Sequence, residues 1–110
     1  AGTPLTERAR GRLTNLLGYD LLDGRQEPES GRVRSMAVAA LGRAGAMGVR
    51  QVEPTLRDPS VRVRIAASGY LAAVPAAAQP ELIRRALGDP SVGVLHVVDG
   101  VFARFLLGKL

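Results

Sequence analysis

At 110 residues with a net charge of +5, the chain is one domain's worth of sequence, and the charge keeps an acidic partner such as nucleic acid in view. It has no cysteine, which excludes disulfides, thiolate metal sites and cysteine nucleophiles. Apolar residues reach 46% but aromatic ones only 4%, a balance built on Ala, Val and Leu that suits closely approaching helices better than aromatic-rich strands.

Residues 1–4 read as a frayed lead-in with no initiator Met, as expected of a chain processed or cut from a longer one. Thr6 then offers an N-cap, and Glu7 sits where the helix dipole favours an acid. Leu13, Leu16, Leu17, Leu21 and Leu22 recur at helical spacing, which predicts a first helix from about residue 5 to Asp23-Gly24. The polar run from Gly24 to Gly31, broken by Pro28, predicts a loop. Val33, Ala37, Ala40 and Leu41 form one face of a second helix with Ser30 as a cap, and Gly42, Gly45 and Gly48 end it. A shorter helix follows to Leu56 with Val49, Val52 and Leu56 inward, Pro54 either delaying or kinking it. Asp58 reads as the cap of the next helix with Pro59 at its first position, running to about Ala73 and closed by Val74-Pro75. Gln79-Pro80-Glu81 opens another short helix with Leu82, Ile83, Ala86 and Leu87 inward, and Asp89-Pro90 starts a last one that reaches the chain end.

Self-similarity organises these elements. Asp58-Pro59-Ser60-Val61 returns as Asp89-Pro90-Ser91-Val92, a shift of 89 − 58 = 31 residues. Val33-Arg34, Val63-Arg64 and Val94-Leu95 fall in one column, eight residues ahead of Leu41, Leu71 and Phe102, with Ala37, Ala67 and Val98 between. The short helices align as well, with Val52 to Leu56 matched to Ile83 to Leu87 and Leu22 in the same part ahead of the first copy. The expected architecture is all-α: a single domain over 1–110, either whole or a piece of a longer solenoid, with helical pairs at about 5–43, 48–73 and 79–108.

The pattern Asp-Pro-x-Val with Val-Arg-x-x-Ala-x-x-x-Leu-Gly, best matched by Val33 to Gly42, resembles HEAT repeats of the phycobilisome-lyase-type class over about residues 13–107. The resemblance implies a short right-handed α-solenoid of about three helical pairs, with the second, short helices lining the concave face. It also implies a ladder in which an Asp in the turn and an Arg six residues later link neighbouring repeats. Here the ladder residues are Arg34, Asp58, Arg64 and Asp89; the outer positions are Pro28 and Leu95. Function is not implied so closely, since such proteins serve as scaffolds, regulators, chromophore lyases and, in a related helical-repeat class, DNA glycosylases.

Arg50, Arg57, Arg84 and Arg85 are the candidate contacts for an anionic partner, a basic stripe on the concave side. Glu53 and Glu81 fall among them and no aromatic is interleaved for base stacking, which favours plain solvation. All but one of the fifteen basic residues is Arg, the exception being Lys109, a bias that coding composition alone can produce. His96 is the only histidine and has no companions at ligand spacing, the glycines lack the strand and Gly-Lys-Ser/Thr of a phosphate loop, and Asp20, Asp23, Glu27 and Glu29 read as solvated acids. No catalytic constellation is expected, nor any cofactor or metal. The last helix is apolar nearly all round, which marks Val94, Leu95, Val98, Val101, Phe102, Phe105 and Leu106 as an association surface. No apolar run approaches the roughly 18–20 residues that cross a bilayer, and no leader pattern opens the chain, so a cytoplasmic protein without membrane association is expected. The expected function is a non-catalytic protein-binding or self-associating scaffold. The alternatives are a basic nucleic-acid-binding repeat module and a regulatory or lyase-related accessory protein.

Overall fold

In the computed structural model, residues 5–19 and 29–107 are described, and they contain six α-helices, one 3-10 turn and no strand. The helices are α1 Glu7–Leu16, α2 Glu29–Arg43, α3 Val49–Thr55, α4 Val61–Ser68, α5 Gln79–Leu87 and α6 Val92–Leu107, with the 3-10 turn Leu71–Ala73 between α4 and α5. Each short helix packs on the long one that follows it: α1 on α2, α3 on α4, α5 on α6. The longer helices also pack in sequence, α2 on α4 and α4 on α6. The molecule measures 43 × 34 × 20 Å, and its shortest dimension is that of two helix layers, each roughly 10 Å thick.

Local chemistry explains most of the boundaries. Thr6 caps α1, its Oγ1 accepting from the Ala9 N–H at 3.1 Å. α2 ends in a Schellman motif. The Ala46 N–H donates to the Leu41 carbonyl at 2.8 Å and the Gly45 N–H to that of Gly42 at 3.0 Å, with Gly45 at φ 72°, where a Cβ would be strained. Gly42 matters for a different reason: a Cβ there would lie 2.0 Å from the Tyr70 ring, which crosses α2 at this point. Gly48 is the N-cap of α3, its N–H donating to Gln51 Oε1 at 3.0 Å.

Several boundaries differ from the expectation. α1 stops at Leu16 and is followed by a turn over residues 17–19; the rest of the anticipated first helix and most of the anticipated loop lie outside the described residues. α2 starts at Glu29, an acid in the first turn, so Ser30 is a buried residue inside the helix and not its cap. Pro54 lies within α3, in its last turn, where its missing N–H removes the bond to the Arg50 carbonyl and its ring crowds that carbonyl. Asp58 does not cap α4. Its Oδ1 accepts the Ser60 N–H at 2.8 Å, closing an Asx turn that places Ser60 at the N-cap and leaves Pro59 outside the helix. α4 also ends early, at Ser68, whose hydroxyl donates back to the Arg64 carbonyl at 2.7 Å. Gly69 and Tyr70 then bond three residues back and lead into the 3-10 turn.

The core joins Val38, Leu41, Val52, Leu56, Val63, Ala67, Leu71, Leu82, Ala86, Val94, Val98 and Val101 across the helix interfaces. Ala37 and Ala67, one 30-residue step apart, are both buried where long helices meet, and their small side chains let the backbones approach. α5 shows a register shift against expectation: Leu82 and Ala86 are buried, Ile83 is half-buried and Leu87 is exposed. The short helices therefore repeat at 82 − 52 = 30 residues, one less than the Asp-Pro turns.

Candidate functional site

The most strongly organised polar feature is a ladder running through the turns. Arg34, in the second turn of α2, is 1% exposed and forks onto Asp58: Nε donates to Oδ2 at 2.8 Å and Nη2 to Oδ1 at 2.9 Å. Its Nη1 donates to the Tyr19 carbonyl at 2.7 Å, which ties the end of α1 into the same network. Arg64 repeats the arrangement in α4. Its Nε donates to Asp89 Oδ2 at 2.8 Å, and its Nη1 donates to the Asp58 carbonyl at 2.8 Å and the Pro59 carbonyl at 3.2 Å. Asp89 Oδ1 in turn accepts the Ser91 N–H at 2.9 Å, as Asp58 does for Ser60. Each Asp thus shapes the turn before one long helix and receives the arginine of the preceding one. The first pair is almost fully buried, its side chains 1% and 2% exposed, while the second is 18% and 9% exposed.

The four arginines singled out for an anionic partner do not share one state. Arg57 lies 3.2 Å from Glu53 and Arg84 lies 2.8 Å from Glu81, with Arg85 at 3.9 Å from the same carboxylate. The hydrogen bond and charge of Arg84, with the charge of Arg85 added, hold the Glu81 carboxyl below its ordinary range. These three therefore stand beside a carboxylate three or four residues earlier in the chain, which weakens a common basic stripe. Arg50 is exposed and has no such partner among the described residues. It lines a cleft of about 250 Å³ between α1 and α3. The last turn of α1 supplies Thr14 and the turn after it Leu17 and Gly18 to one side of this cleft, and α3 supplies Gln51, Pro54 and Thr55 beside Arg50 to the other. Nothing in local sequence marks this cleft, because its walls come from segments more than thirty residues apart.

The association surface anticipated on the last helix is divided. Val94, Val98 and Val101 are in the core of the single chain, and so are not an exposed surface; Leu95 is half-buried. They face inward because α6 packs on both α4 and α5. The side chains of Phe102, Phe105 and Leu106 lie outside the described residues. The exposed side of α6 carries Val92, His96, Asp99, Gly100 and Ala103, so the described part is not apolar all round. Val92 at its first position is 81% exposed and Leu87 at the end of α5 is 56% exposed, leaving an apolar edge at the α5–α6 turn. Among the described residues no group of three or more His, Cys, Asp or Glu side chains could hold a metal ion. No described helix is long and apolar enough to cross a membrane. No family model, curated protein or solved structure matches this chain.

Proposed function

We propose that the protein is a non-catalytic scaffold, a short HEAT-like stack of helical pairs that binds other proteins or its own copies through the end of the stack. The observation that carries this reading is the ladder: two Arg–Asp rungs that share the Nε–Oδ2 bond and the Asx turn at the Asp, 30 to 31 residues apart, joining successive helical pairs. Repeats built this way bury one face against each neighbour, so a terminal repeat needs a polar outer face or a partner. The α5–α6 end carries Leu87 and Val92 in the open, which supports association there. Light scattering over a range of protein concentrations tests this. The expected result is a mass that rises above the monomer and returns to it when Leu87→Asp and Val92→Asp are combined, with helicity by circular dichroism unchanged. A monomer mass at every concentration for the unaltered chain would sink the self-association part of the reading.

A further inference from the structure

We infer that the cleft between α1 and α3 seats an acidic peptide segment of a protein partner, with Arg50 and Gln51 holding a carboxylate; this rests on the protein-binding reading above. The polar groups lining the cleft decide the chemistry of the occupant. The Thr14 hydroxyl donates to the Arg10 carbonyl at 2.8 Å, and the Thr55 hydroxyl lies 2.7 Å from the Gln51 carbonyl and 3.0 Å from that of Val52. The Asp58 carboxylate is fully engaged by Arg34 and the Ser60 N–H. Gln51 Oε1 accepts from the Gly48 N–H. The donors left free are the Gln51 side-chain NH₂ and the Arg50 guanidinium, while the two threonine oxygens keep acceptor lone pairs. A ligand that satisfies these donors brings acceptors, and the positive charge of Arg50 favours anionic ones.

Size and lining narrow this further. At about 250 Å³ the cleft falls below the roughly 300–1,000 Å³ of small-molecule and cofactor sites and suits one or two side chains. Leu17 and Pro54 supply apolar contact beside the single cation. A phosphodiester strand would ask for a row of cations and stacking platforms, whereas one carboxylate next to an apolar side chain matches one arginine next to Leu17 and Pro54. Of the four arginines singled out for an anionic partner, Arg57, Arg84 and Arg85 have carboxylates beside them, and Arg50 is the one of the four without such a partner among the described residues.

Fluorescence anisotropy on the intact chain tests the inference with three labelled probes: a nine-residue peptide alternating Leu and Glu, the same peptide with Ser for each Leu, and oligo-dT. The Leu/Glu peptide is expected to bind saturably, and Arg50→Glu to weaken it about tenfold or more. Arg84→Glu makes the same charge change and should leave it within about twofold. Arg50→Ala, milder for the fold, should also weaken binding, and circular dichroism checks that both variants stay helical. Four outcomes overturn the inference: no saturable binding, equal loss from Arg50→Glu and Arg84→Glu, equal binding of the Ser peptide, or Arg50-dependent capture of oligo-dT. Light scattering on the same samples keeps the two readings apart, since loss of peptide binding with self-association intact removes this inference alone.

Discussion

Arg34 and Arg64 do the same job in different surroundings, and the difference predicts how much each matters. Removing one partner of a buried pair leaves the other charge without compensation, so Arg34→Ala should lower unfolding free energy by about 3–5 kcal/mol. Arg64 and Asp89 are partly solvated, and water takes over some of the lost bonding; Arg64→Ala should cost nearer 1–3 kcal/mol. Urea titrations of the two variants give the comparison, and an equal or inverted order would contradict the burial argument. Glu81 offers a test by titration. Its folded pKa is depressed by Arg84 first and Arg85 second, so its small stabilising effect exists above the unfolded value and fades as pH falls through the folded one. Arg84→Ala removes the larger cause, and the Glu81 carboxyl should then titrate at higher pH, read directly from its NMR chemical shift. Because the pair is exposed, the overall stability of the protein should change little.

Among the helices, α1 is the least anchored: none of its residues is buried, and it leans on α2 through half-buried Leu13. Its amides should exchange with deuterium faster than those of α2 or α4. Gly11 in the same helix has open space where a Cβ would go, so Gly11→Ala should stabilise the chain by about 0.5–1 kcal/mol and slow that exchange. A loss of stability would mean that α1 is not helical at this position in solution. Legibility in the sequence follows the same scale. The Asp-Pro-Ser-Val turns and the Arg columns repeat in the chain, and the pairs Arg34–Asp58 and Arg64–Asp89 occupy those columns because one turn geometry recurs. The buried face of α5 was not legible: Leu82-Ile83 and Ala86-Leu87 each offer two adjacent apolar residues, and only packing against α6 decides which one turns inward. Nor was the early end of α4, where a serine hydroxyl competes for a backbone carbonyl. The inward course of Val94, Val98 and Val101 was hidden for the opposite reason. An all-apolar stretch has no polar stripe from which to read a direction.

For the molecule as a whole, the ladder is a connected path, not a set of separate pairs. It runs from the Tyr19 carbonyl through Arg34 to the Asp58 carboxylate, then from the Asp58 carbonyl through Arg64 to Asp89 at the start of α6. Asp58 is the shared member, held through its side chain by one arginine and through its backbone by the next. Loosening it from one side should therefore weaken what the other side can gain. Lysine at either arginine position keeps the charge but loses the fork that reaches two acceptors at once, so Arg34→Lys and Arg64→Lys perturb each rung without removing it. Residues that share a partner show coupling of about 0.5–3 kcal/mol, whereas independent sites add to within roughly 0.5 kcal/mol. The double variant should accordingly lose less stability than the sum of the two single losses, by at least about 0.5 kcal/mol. Urea unfolding of the four proteins in the cycle measures this, with circular dichroism and fluorescence required to report one coincident transition. Strict additivity would mean that the two rungs hold their own turns and do not link one helical pair to the next, and the packing of α2 on α4 and of α4 on α6 would then need a different cause.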